Sequence, residues 1–227
     1  MQATLPARPG GKVMEPSESG GRMKLQTHHE RIAKNNIMKK EYAATIGVFD
    51  GVHRGHRKVI ECMLRAASER GLGTIVVTFD RNPMEVICPE RAPKSLMSLA
   101  EKVAALKSTG VERVVVLPFD RKMMETPARD FMLHTLRGEL DVRLLVLGYD
   151  NRFGKRSPSE DFHSYEAYGR EMGIEVIEGP QPEECGLFEG KAVSSSLVRS
   201  LMEEGRRDEA HGLMKGKGKD NTDYRQE

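Results

Sequence analysis

His53 and His56 lie three residues apart in the stretch TIGVFDGVHRGH, residues 45–56, beside Asp50 and the glycines Gly47, Gly51 and Gly55. The apolar run before them reads as a strand and the residues after them as a helix, so these groups fall in a strand-to-helix turn. Glycine lets the backbone approach a ligand closely and adopt positive φ. The first turn of a helix leaves its N–H groups unpaired and carries the positive end of the helix dipole. Both features favour an anion, phosphate above all. Two imidazoles beside that anion can donate hydrogen bonds to phosphoryl oxygens, which helps most where charge grows during a reaction. The turn has no Walker A lysine and does not read G-x-G-x-x-G. Two blander readings stand beside this one: metal ligands, although no third ligand is evident nearby, or ordinary turn and capping residues.

The surrounding pattern says what positions these groups. Val59, Ile60, Met63, Leu64 and Ala67 form a stripe at helical spacing and predict a helix over 55–70. GTIVVTF (73–79) reads as a buried strand, RVVVLPF (113–119) as another and RLLVLG (143–148) as a fourth. Ser98 with Glu101 fits a capping box. Thr126 followed by Pro127 predicts a helix start, with Phe131 and Leu136 facing inward. Residues 159–172 are expected to be helical and IEVIEG (174–179) extended. SSSLVRSLMEEG (194–205) predicts a helix capped by its serines and stopped at Gly205. Strands without polar alternation, each followed by a helix, predict an α/β fold: a doubly wound parallel sheet covered on both faces. In such sheets ligands bind beyond the carboxyl ends of the strands. The unusual residues cluster there, at 50–56, 80–83, 149–154 and 194–199.

Composition narrows the classes. The 227 residues carry 36 basic and 34 acidic side chains, a net charge of +2 that gives no case for non-specific nucleic-acid binding. Cys62, Cys88 and Cys185 are widely spaced and odd in number, unlike a disulfide framework or a zinc cluster, which implies a reducing compartment. No apolar stretch approaches the roughly 20 residues of a membrane span, and no signal-peptide core precedes the first strand, so the expected address is the cytoplasm. Residues 1–40, rich in Gly, Pro, Ser and charge, are expected to be a disordered extension, 41–213 the folded domain and 214–227 a polar tail.

GVFDGVHRGH resembles the G-x-F-D-x-x-H-x-G-H signature of the nucleotidyltransferase superfamily, which is related to class I aminoacyl-tRNA synthetases. Its DGVH form is most similar to the adenylyltransferase module of bacterial FAD synthetase. That resemblance implies a Rossmann-like nucleotidyltransferase fold. It implies that His53 and His56 contact ATP phosphates and the transition state, with Gly47, Phe49, Asp50, Gly51 and Gly55 in the ATP site. TFDRNPMEV (78–86) is similar to the family's T-F-x-P-H-P-x-E-V, with Arg81 and Asn82 where proline and histidine are usual. It implies that Phe79, Asn82 and Pro83 lie near the flavin and its phosphate. LGYDNRFGK (147–155) resembles G-x-D-F-x-F-G, with Asn151 where an aromatic is common. Phe153 would offer a flat face to the isoalloxazine ring, and Asp150 would bind a hydroxyl, a metal or an amide. VSSSLVRSLM (193–202) resembles V-S-S-T-x-I-R, which places Ser194 and Ser195 against phosphate or adenine and lets Arg199 pair with an anion. LMSLAEKVAALKSTGVERVVVLPFD is also similar to the family's stretch between its second and third motifs, without attached chemistry. The resemblance spans about residues 43–213.

The implied activity is FMN adenylyltransfer: ATP plus FMN gives FAD and pyrophosphate. Mg²⁺ would bridge the phosphates without a metal site of the protein's own. His53, His56 and Arg199 would carry the catalysis. Two alternatives remain: another small-molecule acceptor of the superfamily, such as pantetheine phosphate, nicotinate mononucleotide or glycerol phosphate, or a non-catalytic nucleotide- or flavin-binding remnant. The P-T-A-N signature of riboflavin kinase is not in the chain. Either the chain performs the second step alone, with a separate riboflavin kinase as its FMN source, or it is a fragment. The expected partners are small-molecule substrates, with neither nucleic acid nor membrane.

Overall fold

A computed structural model describes residues 40–149, 151, 153–155 and 160–215. Five strands, β1 (Tyr42–Ile46), β2 (Gly73–Phe79), β3 (Arg113–Leu117), β4 (Val142–Leu147) and β5 (Glu175–Glu178), form one sheet in the order β3-β2-β1-β4-β5. All four pairings are parallel, with Ile46 opposite Val77 and Thr45 opposite Val146. The expected doubly wound α/β sheet is therefore present. From β1 the chain proceeds outward through β2 and β3, then returns to β4 on the other side of β1. That reversal makes the crevice between β1 and β4 the switch point of the sheet.

The strands are apolar on both faces because each face has its own core. Ala43, Val76, Leu144 and Val146 pack with Ile60, Met63 and Ala67 of helix α1 (Arg54–Arg70). Ala44, Ile75, Val77 and Leu145 pack on the opposite face with Phe131, Met132, Leu136 and Tyr165. The alternation of neighbours such as Ala43 and Ala44 follows from the period of two along a strand. A third cluster, Val193, Val198, Leu201, Ala210 and Leu213, joins two late helices.

Local signals account for most boundaries. α1 ends at Gly71, in the left-handed region at φ 64°. Two α-helices follow β2, separated by a 3₁₀ turn at Pro89–Arg91: α2 (Met84–Ile87) and α3 (Leu99–Lys107), which begins with the expected Ser98–Glu101 capping box. β3 stops at Leu117 rather than 119, because Pro118 has no N–H for the ladder. An unexpected helix, α4 (Arg121–Glu125), precedes Thr126, and Pro127 then caps α5 (Ala128–Asp130). α5 runs on as a π-helical stretch, Phe131–Glu139, in which Phe131 and Leu136 face inward as expected. Helix α6 (Phe162–Met172) starts after Asp161, whose carboxylate accepts the Ser164 N–H; the expected start at 159 lies outside the described residues. Helix α7 (Ser195–Glu203) is capped by Ser194 and followed by Gly205 at φ 82°. A small hairpin, β6 (Leu187–Phe188) with β7 (Lys191–Ala192), and a last helix, α8 (Arg207–Met214), were not legible from the pattern. Residues 1–39 and 216–227 lie outside the described residues. Among those described, no helix is long and apolar enough to cross a membrane.

Candidate active site

Beyond Ile46 the chain leaves β1 and turns sharply. Phe49, Gly51 and Val52 all have positive φ, at 51°, 83° and 37°. For a β-branched valine that is a strained conformation, held only where the surroundings enforce it. The enforcement is visible. Asp50 is buried and accepts the Leu96 N–H with both carboxylate oxygens, at 2.9 and 3.2 Å. It also forms an ion pair with Arg199, and its carbonyl accepts Ser195 Oγ at 2.8 Å. Gly51 does not line the cleft. It sits under Leu96, where an added Cβ would come within 2.8 Å of Leu96 Cδ1.

His53 is the N-terminal cap of α1, and its ring stacks on that of His56 with centroids 3.7 Å apart and planes 21° apart. The Phe49 ring meets His56 edge-on at 5.1 Å. Burial, reinforced by the nearby Arg199 cation, pushes the His53 pKa down to about 4. Burial also pushes His56 well below the usual imidazole range, with His53 and Lys102 adding to the effect. Both rings are therefore uncharged at neutral pH. A neutral imidazole carries one N–H donor and one acceptor nitrogen. Both Nδ1 atoms are buried without a protein partner among the described residues. Buried polar atoms are rarely left so.

Two clefts of similar size open at this turn, beside a smaller one of about 180 Å³ lined by Val48, Asp50, Asp80, Glu85 and Lys102. The first, about 420 Å³, lies at the carboxyl ends of β1 and β4 and is lined by Gly47, Phe49, Asp50, His53, Gly55 and His56 with Ser194, Ser195 and Arg199 from the start of α7. The second, about 400 Å³, is walled by Phe79, Pro83, Phe119, Met123, Phe131 and Phe153. They share Ile46, Gly47, Val48 and Asn151. The Asn151 amide donates to the Ile46 carbonyl and so closes the end of β1 between them.

The expected phosphate residues thus meet in the first cleft, Gly51 excepted. Their hydroxyls and charges are partly committed to other groups of the protein. Ser194 accepts the Leu197 N–H at 3.2 Å, and Arg199 Nε donates to the Lys94 carbonyl at 3.0 Å. Phe79, Pro83 and Phe153 meet in the second cleft. The Phe153 ring is fixed between Phe131 and Tyr165, with centroids 5.5 and 4.9 Å away. Asn82 lines the first cleft rather than the second, and its carboxamide oxygen accepts the Met84 N–H at 3.0 Å. Asp150 lies outside the described residues.

Several site residues carried no signal in the motifs. Phe119 and Met123 reach the second cleft from the loop and short helix after β3. Lys102 is buried on α3 beneath the turn. Its sign in the sequence was a charge on an apolar helix face, four residues before Leu106, which is fully buried.

A doubly wound parallel sheet with a glycine- and histidine-bearing turn at its switch point, opening beside an aromatic cleft, defines a Rossmann-like α/β domain. The FAD synthetase family model matches residues 35–197, and the chain belongs to that family. Among curated proteins it is 34% identical over 158 residues to the bifunctional riboflavin kinase/FMN adenylyltransferase of Escherichia coli, covering 70% of this chain and 49% of that one. It is 36% identical over 159 residues to the protein of that name from Pseudomonas fluorescens, covering 70% and 49%. The chain spans about half the length of these relatives. Among solved structures, a Streptococcus pneumoniae protein described as a macrolide-efflux protein superposes with a TM-score of 0.66 at 24% identity, covering 80% of this chain and 58% of that one. At that identity the likeness concerns the fold alone.

Proposed function

We propose that residues 41–213 transfer AMP from MgATP to the phosphate of FMN, giving FAD and pyrophosphate. One observation supports this above the others: a polar cleft with two neutral histidines and an aromatic cleft share one backbone wall, Ile46–Val48 with Asn151. A triphosphate in the first and a flat ring system in the second would bring their phosphates together at that wall. An FMN phosphate oxygen then attacks the α-phosphorus in line. The bond from that phosphorus to the bridging oxygen breaks, and pyrophosphate leaves. No protein nucleophile is needed, so catalysis rests on positioning and on stabilising charge.

His53 and His56 would donate to the phosphoryl oxygens, and Arg199 would add a fixed cation. Ser194 and Ser195 hold the start of α7 against the turn, and Phe79, Pro83 and Phe153 form the flavin wall. Mg²⁺ enters with the nucleotide and requires few protein ligands. The Asp50 carboxylate, in the same turn as the histidines, is already committed to Arg199 and the Leu96 N–H. A separate riboflavin kinase would supply the FMN.

The test is an assay of the purified chain with ATP, Mg²⁺ and either FMN or riboflavin, with FAD separated by chromatography and pyrophosphate measured in parallel. FAD from FMN is the expected product. Tight binding of ATP and FMN without pyrophosphate release would favour a non-catalytic binding module. Binding of neither would reject a flavin role.

A further inference from the structure

Lys102 is 6% exposed. Its ammonium donates to the Phe79 carbonyl at 2.8 Å and to the Val48 carbonyl at 3.2 Å. The Val48 carbonyl also accepts Thr78 Oγ1 at 3.1 Å. Val48 lies in the wall common to both clefts, and the Phe79 ring lines the acceptor cleft. One side chain thus grips the loop after β1 and the end of β2 together.

The charge stands in an unfavourable place. It falls in the first turn of α3, where a cation opposes the helix dipole. No ion pair among the described residues includes it; Asp50, Asp80 and Glu85 act on it only from a distance. Desolvation of an ammonium held by two neutral carbonyls disfavours the charged form. A methionine of similar length would fill the space without that cost, since apolar replacement of buried charges is often neutral or stabilising. Packing alone does not call for lysine here, whereas the two carbonyls do.

We propose that Lys102 is a positioning residue that joins the two clefts into one centre, by clamping the Val48 and Phe79 carbonyls so that ligands in the clefts meet in one geometry. This rests on the adenylyltransfer reading for its turnover arm but not for its binding arm. Without the clamp each cleft survives, while their mutual placement loosens. Misplacement on the ångström scale costs about 10²-fold in rate.

The full chain carrying Lys102→Met is compared with wild type by thermal unfolding, FAD formation and calorimetry. FMN affinity is measured with and without a non-hydrolysable ATP analogue bound. The expected result is a folded variant whose separate ATP and FMN affinities stay within about threefold of wild type, whose kcat falls about 10²-fold at little-changed KM, and in which the analogue no longer alters FMN affinity. Lys102→Arg, which keeps the charge and can reach both carbonyls, should restore much of the coupling. If Lys102→Met fails to fold, Thr78→Val carries the test. It weakens the hold on the Val48 carbonyl from the other side and should reduce the coupling severalfold. Unchanged kcat and unchanged coupling in the folded Met variant, or unchanged coupling in Thr78→Val where Met does not fold, overturn the proposal. So does a wild type in which neither ligand binds or the two bind independently. A wild type that shows coupling but makes no FAD removes the adenylyltransfer reading and leaves the Lys102 proposal to be decided by coupling.

Discussion

Asp50 and Arg199, 149 positions apart, form an ion pair, the carboxylate buried and the guanidinium half-buried, that ties the turn after β1 to the first turns of α7. The same two residues hold the segment between them in space: Leu96 N–H donates to Asp50, and Arg199 Nε donates to the Lys94 carbonyl. Asp50 therefore serves the site through Arg199 and the turn. Removing one partner leaves the other's hydrogen-bonding groups unsatisfied, at a cost of about 1–3 kcal/mol. Arg199→Met and Asp50→Asn are both expected to lose stability on that scale in urea unfolding. Both should also lose FAD formation, although the Asp50 carboxylate is turned away to its partners.

His56→Ala is expected to lower kcat by about 10²–10³, the usual cost of one preorganised donor to a developing oxyanion. His56→Gln keeps an N–H and should recover part of that loss. FAD formation within threefold of wild type in His56→Ala would remove His56 from the transition state.

The buried histidines also set an acid limit on stability. His53 has a pKa of about 4 when folded against an ordinary 6.5. Between those values the unfolded chain binds the extra proton, so stability is unaffected above about 6.5 and falls as pH drops toward 4. The full loss from this residue is ~3 kcal/mol, at 1.36 kcal/mol per pKa unit. His56 acts in the same direction. Unfolding curves for His53→Gln should be flatter across this window than those of the wild type; parallel curves would show that His53 is solvated.

A triphosphate beside these rings would raise their pKa values, because an opposite charge favours the protonated form. Nucleotide binding is then accompanied by proton uptake at pH values just above the free His53 pKa of about 4 and tightens as pH falls from 6 toward 5. Calorimetry in buffers of different ionisation enthalpy reads this directly. Equal heats in all buffers would place the triphosphate away from His53 and His56.

Gly51→Ala is expected to destabilise the fold by about 1–3 kcal/mol, since it combines a positive φ with steric overlap. The residue struck is Leu96, whose N–H holds Asp50. Activity should fall further than stability predicts, measured as kcat at a temperature where the variant is fully folded.

The turn after the first strand and the strand–helix order were legible because both are local. Glycines, a helix start and apolar runs lie within a dozen residues of one another. The capping box at Ser98 and the stop at Gly205 were equally local. Pairing with Asp50 as the fate of Arg199 was not legible, because it depends on a loop and a helix far apart in the chain. Nor was the assignment of Asn82 to the polar cleft, since its motif names a strand end and not the side of the turn its carboxamide takes. Lys102 was readable only as an anomaly, a charge on a face that periodicity assigns to the interior.

By itself, then, the sequence determined a glycine-rich turn carrying two histidines on a doubly wound sheet, because turn chemistry and periodicity act over a few residues. Only the tertiary structure decided which groups are spent on one another and that a polar and an aromatic cleft share a wall. Burial is non-directional: an apolar pattern states which residues go inside. The strand order β3-β2-β1-β4-β5 decides which of them meet.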